Sequence, residues 1–175
     1  MKRIVLAGTA LALTLAAASA SAAGTPNAGS LGLGVSTASS STNYFAEDRM
    51  IEGRYLVKKD FAVLFGAGLG VWGADAKGTD LGLMVGGRFY LKNEDLSPFM
   101  GGRFMYASTN DSNLTAFAFL GEAGAEYFLN KQFSLEGRVG FGYASVDRKA
   151  TPTTAKGKST IFGTSSFTLG ANFYF

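Results

Sequence analysis

Residues 166 to 175 read Ser166-Phe167-Thr168-Leu169-Gly170-Ala171-Asn172-Phe173-Tyr174-Phe175 and alternate between apolar and polar or small side chains. Successive side chains of a β-strand point to opposite faces of a sheet. One face would carry Phe167, Leu169, Ala171, Phe173 and Phe175. In a soluble protein, a terminal strand with this face would be an aggregation-prone edge strand. In a closed barrel the strand is paired on both sides, and its apolar face can meet lipid. The stretch therefore predicts the closing strand of a transmembrane barrel.

Seven segments upstream of this stretch show the same alternation. With it, the predicted strands are 30–36, 49–57, 61–72, 81–91, 98–107, 115–129, 133–144 and 161–175. A strand of about ten residues crosses a bilayer when it is tilted. An even number of strands closes a barrel without free edges, so the predicted fold is all-β, an eight-stranded antiparallel up-and-down transmembrane barrel.

The connections between these segments alternate in predicted length. Three short polar ones span 58–60, 92–97 and 130–132, and four mostly longer ones span 37–48, 73–80, 108–113 and 145–159. Outer-membrane barrels have short periplasmic turns and longer external loops. We therefore expect both ends of the barrel domain on the periplasmic side.

The first 22 residues have the pattern of a secretory signal peptide. Lys2 and Arg3 precede an apolar stretch from Ile4 to Ala17, and small-x-small cleavage sites lie at 18–20 and 20–22. The predicted domains are thus a signal peptide, 1–22, and a barrel, 23–175. The alternative is a short N-terminal anchor.

The composition favours a barrel with lipid on the outside. The chain has 24 glycines among 175 residues, and many of them alternate with the apolar positions. A soluble, lipocalin-like barrel would instead turn its apolar face inward and would carry many Lys, Glu, Ser and Thr on its outside. Glycine-lined strands fit a narrow, crowded lumen better than a water-facing surface.

Four residues of the last segment, Thr168, Gly170, Phe173 and Phe175, resemble the C-terminal assembly signal of bacterial outer-membrane β-barrels. The chain as a whole resembles the small eight-stranded outer-membrane family typified by the OmpA barrel and OmpX. The resemblance implies an outer-membrane location with lipid and lipopolysaccharide as neighbours. It also implies insertion by the β-barrel assembly machinery with the help of periplasmic chaperones.

The charge balance gives no reason to expect a nucleic-acid partner, and none is predicted. Removing Lys2 and Arg3 from the 16 basic residues leaves 14, against 13 acidic ones. We expect the protein to be a monomer.

Charged residues on the polar faces of the strands are expected to point into the lumen. They are Glu52, Arg54, Arg88, Arg103, Glu122, Glu126, Glu136 and Arg138. Four guanidinium groups and four carboxylates should pair through charge-assisted hydrogen bonds and close the narrow lumen. We expect Arg138→Ala or Glu52→Ala to lower stability and to introduce leak. The alternative is a narrow pore for small solutes or ions.

Catalysis has few candidates in this chain. It contains no His and no Cys, which excludes imidazole-based triads, thiol nucleophiles and Cys or His metal sites. Glu122 and Glu126 lie roughly 13 Å apart along one strand face, too far for a paired acid and base. We predict a non-catalytic structural or surface protein without a cofactor.

A basic run lies in the last long connection. Arg148 and Lys149 precede Lys156 and Lys158. If this connection is external, the run faces lipopolysaccharide phosphates and can bind them, or it is simply solvated.

Overall fold

Alternating apolar residues form eight strands in the computed structural model, which describes residues 24–40, 50–72, 78–109, 114–149 and 156–175. The predicted signal peptide lies outside these residues. The strands are β1 Leu31–Ser40, β2 Ile51–Lys58, β3 Phe61–Trp72, β4 Gly78–Tyr90, β5 Leu96–Thr109, β6 Leu114–Phe128, β7 Phe133–Arg148 and β8 Gly157–Tyr174. Within the described residues, no helix is long and apolar enough to span a membrane.

The strands close into one antiparallel barrel in which each strand pairs with the next. Closure comes from β1 and β8, which pair from Gly32 opposite Tyr174 to Ser40 opposite Ser166. The backbone N–H of Phe175 donates to the carbonyl of Leu31 at 2.9 Å, so the pairing continues past β8. The predicted fold class and the role of the last segment as the closing strand are confirmed.

At the end of the barrel where β1 connects to β2 and β7 connects to β8, the strands are longer than the sequence predicts. Residues 37–40, 78–80, 108–109, 145–148 and 157–159 belong to strands, although they were predicted to lie in connections. Residues 73–77 and 110–113, which join β3 to β4 and β5 to β6, are no longer than the connection 91–95 at the other end. The predicted difference in length is therefore wrong for these two connections.

The reason for this difference is that backbone pairing does not require apolar side chains. The sequence prediction ended each strand where its apolar alternation ended. Ladder hydrogen bonds continue through Ser, Thr and charged residues wherever both strands of a hairpin run on together. The result is a polar rim at this end of the barrel, where the connections 41–50 and 149–156 are longer than all of the short turns and the other two are not.

A β-bulge in β8 shifts the alternation by one residue. Gly140 pairs with Ser166, whereas its neighbour Phe141 pairs with Thr164. Phe162 and Phe167, which have opposite parity in the sequence, are consequently both on the outer face, where they are 71% and 51% exposed. Gly163, with a φ of 149°, lies next to this bulge, but the apolar alternation from which the strand is predicted does not reveal the shift.

The outer wall of the barrel is apolar. Its exposed side chains include Leu33, Val85, Phe89, Phe119, Val139 and Leu169. Aromatic rings contact one another across neighbouring strands, as in Phe61–Phe89 at 4.6 Å and Phe104–Phe119 at 4.8 Å between ring centroids. The orientation predicted from composition, with the apolar face outward, is observed.

The interior is filled in three layers along the barrel axis. A floor cluster near the short turns contains Leu56, Ala62, Tyr90, Phe99, Phe128 and Tyr174. The charge belt above it consists of Glu52, Arg54, Arg88, Arg103, Glu122, Glu126, Glu136 and Arg138. An upper cluster above the belt contains Leu64, Met84, Met105, Leu114, Ala116, Ala118, Leu120, Ala144 and Val146. The upper cluster was not predicted.

Candidate functional site: the buried charge belt

The eight charged residues predicted to lie in the lumen are all buried inside the barrel. They come from five strands: β2, β4, β5, β6 and β7. Alternation directs these Arg and Glu side chains away from the apolar outer face; in a barrel that faces lipid, an outward Arg would cost about 2–4 kcal/mol at the bilayer midplane. Alternation therefore brings together, across the barrel, residues that are as many as 86 positions apart in sequence.

Arg54, on β2, connects its own strand to β6 and β7 on the other side of the lumen. Its Nη1 donates to Glu126 Oε2 at 3.1 Å and to Glu136 Oε2 at 3.0 Å. Its Nη2 donates to Glu52 Oε1 at 2.9 Å. The guanidinium fork thus binds carboxylates from three different strands.

Arg88 occupies the neighbouring position in the belt. Its Nη1 donates to Glu136 Oε2 at 2.7 Å, and its Nε and Nη2 donate to Glu122 Oε1 at 3.2 and 3.1 Å. The same guanidinium lies 3.7 Å from the centroid of the Phe99 ring. A cation over an aromatic face is further stabilised by the ring quadrupole, so Arg88 is also tied to the floor cluster.

Arg103 and Arg138 complete the belt on the side of the upper cluster. Arg103 donates to Glu122 and, at 3.4 Å, to Glu52 Oε2. Arg138 pairs with Glu136 Oε1 at 2.5 Å and with Glu52 Oε2 at 3.1 Å. Each of the four arginines therefore contacts at least two carboxylates, and each carboxylate contacts at least two guanidinium groups.

This arrangement is suited to filling and bracing the barrel. Paired guanidinium groups satisfy the carboxylates, so none is presented as a free base. Among the described residues, no group of three or more His, Cys, Asp or Glu side chains could hold a metal ion.

Glu126 has a shell of neutral donors that the sequence prediction missed. Tyr90 and Tyr174 donate their hydroxyls to its carboxylate at 2.7 and 2.6 Å. Ser134 also donates to it, and Asn172 Nδ2 does so at 3.1 Å. Alternation places all four donors inward, but the sequence does not reveal which carboxylate they share, because that depends on register across the barrel.

Inward glycines lie opposite the charged residues on the neighbouring strands. The cross-strand pairs are Gly32 with Arg54, Gly101 with Arg88, Gly86 with Arg103, Gly124 with Arg138 and Gly170 with Glu136. A Cβ at Gly32 would lie 2.8 Å from Arg54 Cγ, and one at Gly170 would lie 3.1 Å from Glu136 Cγ. The glycines therefore leave the space that long charged side chains need in a narrow lumen.

The four residues that resemble an assembly signal lie on both faces of β8. Thr168 is buried inside the barrel, and Gly170 faces Glu136. Phe173 and Phe175 are exposed on the outer wall, with ring centroids 5.1 Å apart. Gly170 consequently has a packing role in the belt, whatever its role in assembly.

Comparison with known proteins identifies the fold. No family model matches the chain, and no curated protein matches it in sequence. Its structure is similar to that of outer membrane protein AlkL in lipid bilayers, with a TM-score of 0.56 and 14% identity, over 90% of this chain and 94% of AlkL.

Two structures from Pseudomonas aeruginosa are also similar. Outer membrane protein OprG has a TM-score of 0.53 and 14% identity, over 89% of this chain and 99% of OprG. The N-terminal β-barrel domain of OprF has a TM-score of 0.50 and 12% identity, over 84% of this chain and 98% of that domain. The predicted resemblance to small outer-membrane barrels is confirmed as a resemblance of fold.

Proposed function

We propose that this protein is a non-catalytic barrel of the bacterial outer membrane, with a closed lumen and a structural or surface role in the envelope. The outer wall supports the membrane location. Val85, Phe89 and Phe119 are each more than half exposed, and they belong to a band of apolar residues around the barrel. Soluble monomers rarely expose contiguous apolar areas of this kind, whereas lipid covers them without cost.

The stacking of three filled layers in the interior is the observation that carries the closed lumen. The belt alone is polar, and water could in principle cross it by following the charged groups. The upper cluster adds Leu64, Met84 and Met105, which are buried and offer water no hydrogen-bond partner. A steady ion path would have to cross the floor cluster, the belt and the upper cluster.

Conductance in planar bilayers tests this function. We expect negligible steady current from the wild-type barrel. We also expect negligible current from Arg138→Ala, because the upper cluster stays in place. This expectation replaces the leak that the sequence alone predicts for Arg138→Ala. A gel run before and after boiling in detergent should show two mobilities, since a closed barrel resists unfolding. Robust current from the wild type would favour a narrow pore, and a heat-insensitive soluble protein would refute the membrane location.

Biogenesis provides a second test. We propose that residues 1–22 direct export and are cleaved, and that Phe173 and Phe175 are read by the β-barrel assembly machinery. Both aromatic side chains are exposed on the outer wall, where a partner can reach them. Deletion of Phe175 should slow insertion into the membrane. Unchanged insertion kinetics would contradict this role.

A further inference from the structure

Four basic residues meet at one rim of the barrel, on the hairpin of β7 and β8. Arg148 lies opposite Gly157, and Lys158 lies opposite Asp147. Lys149 follows Arg148, and Lys156 precedes Gly157. All four basic side chains are exposed. Two of them belong to paired strands and stand one rung apart: Lys158 shares the outer face with Asp147, and Arg148 is on the opposite face with Gly157. Their basic groups can therefore come together only at the rim, where both strands end.

This rim differs in charge from the other connections. Residues 147–158 carry four basic residues and one acidic residue. The other connections at the same end, 41–49, 73–80 and 110–113, together carry two basic and five acidic residues. At the opposite end, the three short connections 58–60, 91–95 and 129–132 together carry four basic and three acidic residues. Positive charge is therefore concentrated on one hairpin.

Lys158, on the β8 side of the rim, is exposed and available to an external anion. Lys158 takes part in no ion pair within the part of the chain that the structure describes, although Asp147 is its cross-strand partner. An exposed ammonium that is not in a salt bridge can donate to a phosphate without first losing a carboxylate partner.

Aromatic side chains lie on the outer wall directly below this rim. Tyr143 pairs with Phe162, and the Phe162 ring contacts Phe141 with centroids 5.0 Å apart. Phe117 lies 6.2 Å from Tyr143. Lys158 is four residues beyond Phe162, which for a tilted strand corresponds to a height of about 10 Å. Aromatic belts mark the membrane–water interface, so the basic residues lie at or just beyond the head groups.

We propose that Arg148, Lys149, Lys156 and Lys158 bind the phosphates of a phosphorylated glycolipid in the outer leaflet. The basic groups would hold the phosphates, and the aromatic wall below would contact the acyl chains of the same molecule. The combination selects a lipid over a free phosphate ion, because a free ion gains nothing from the aromatic wall. This inference rests on the proposed outer-membrane location, with the rim on the external side.

The test uses the full-length mature barrel, refolded in micelles with neutral head groups, and bisphosphorylated lipid A as the probe. Native mass spectrometry would measure lipid retained by the wild type and by the variant Arg148→Gln/Lys149→Gln/Lys156→Gln/Lys158→Gln. The matched control, Lys58→Gln/Lys59→Gln/Lys92→Gln/Lys131→Gln, removes the same charge from the opposite end. Heat-shifted mobility of each sample confirms a folded barrel and keeps failure of the membrane location separate from failure of lipid binding. Lys158→Gln alone serves if the quadruple variant does not fold.

We expect the wild type and the control to retain lipid A, and the rim variant to bind it at least about 100-fold more weakly, because each basic residue near an anionic surface contributes about fivefold. Lys158→Gln should lower binding by about fivefold. Dephosphorylated glycolipid with the same acyl chains should bind as poorly to the wild type as lipid A binds to the rim variant. Equal retention of the two glycolipids, or equal loss in the rim variant and the control, would overturn the proposal. Displacement of lipid A by millimolar inorganic phosphate would show a simple anion site and would also overturn it.

Discussion

The charge belt and the upper cluster fill adjacent parts of the same narrow lumen with opposite chemistry. In the belt, Arg54 and Glu52 are held by directional bonds to several partners. In the upper cluster, Leu64 and Met105 are equally buried but are held by packing. Both layers arise from the same alternation of inward and outward residues.

The difference between the layers lies in how each responds to the loss of one member. Removing a belt residue leaves partners whose buried charge is no longer compensated. The free-energy cost of that uncompensated charge exceeds the net contribution of the original ion pair. An upper-cluster residue leaves a cavity, whose cost depends on how far the neighbours relax. Substitutions in the belt should therefore be strongly coupled in their effect on stability, whereas those in the upper cluster should be close to additive.

The largest effect is expected from Arg54→Ala. It leaves three carboxylates short of a partner and should lower the free energy of unfolding by about 3–5 kcal/mol. Urea unfolding from lipid vesicles, followed by the fluorescence of the single tryptophan, would measure it. The double variant Arg54→Met/Glu52→Gln keeps the belt neutral. It should lower the free energy of unfolding by less than the sum of the losses in the single variants Arg54→Met and Glu52→Gln. Additive losses would show that the belt residues are not coupled.

A smaller effect is expected from Leu64→Ala in the upper cluster. Leu64 is fully buried, and its truncation should cost about 2–5 kcal/mol, the usual range for a buried leucine. The loss should add to that of Met105→Ala except for the coupling of direct neighbours, and the same urea titration would show it. A cost below about 1 kcal/mol would mean that the upper cluster is loosely packed or hydrated.

The belt was predictable from sequence because charge is informative on an apolar strand. Arg88 and Glu122 can be expected only on the inward face of a strand whose other face is apolar. The hydroxyl shell of Glu126 was not predictable, since Tyr90 and Tyr174 meet it through cross-barrel register, which no local pattern encodes.

The upper cluster was missed for the opposite reason. Leu64 and Met84 are apolar, as are the residues of the outer wall, so their chemistry does not say which side of the wall they occupy. The bulge next to Gly140 and the polar strand ends were missed because they are properties of backbone pairing. Sequence therefore predicted the fold and the charged layer, and it did not predict the seal above that layer or the length of the strands.

Glycines on the two faces of the wall provide a matched pair with a smaller expected effect. A Cβ at Gly86, which faces the belt, would lie 2.5 Å from the backbone oxygen of Gly102. A Cβ at Gly102, which faces outward, would have no neighbour closer than 3.6 Å. Gly86→Ala should cost about 1–3 kcal/mol by overpacking, and Gly102→Ala should change stability by less than about 0.5 kcal/mol. Equal effects of the two substitutions in urea unfolding would contradict the inward crowding.

The smallest effect is expected from one of two buried serines on β7. Ser134 faces the charge belt, whereas Ser145 lies on the outer face of the strand, opposite Phe117. Ser134 donates to Glu126 and accepts from Asn172 Nδ2 at 3.1 Å, whereas the Ser145 hydroxyl has no hydrogen-bond partner within the described part of the chain. Removing a partner from a buried charged group costs about 1–3 kcal/mol, so Ser134→Ala should destabilise the barrel.

Ser145→Ala removes a hydroxyl that is buried without compensation, between the cross-strand partners Phe117 and Thr160. Its loss should leave stability unchanged or raise it by up to about 1 kcal/mol, because no bond is lost and the desolvation of the hydroxyl is relieved. Urea midpoints of the two variants should therefore move in opposite directions, or only that of Ser134→Ala should fall. A fall of more than about 1 kcal/mol for Ser145→Ala would mean that this hydroxyl has a partner, such as a bound water, beneath the aromatic side chains of the outer wall.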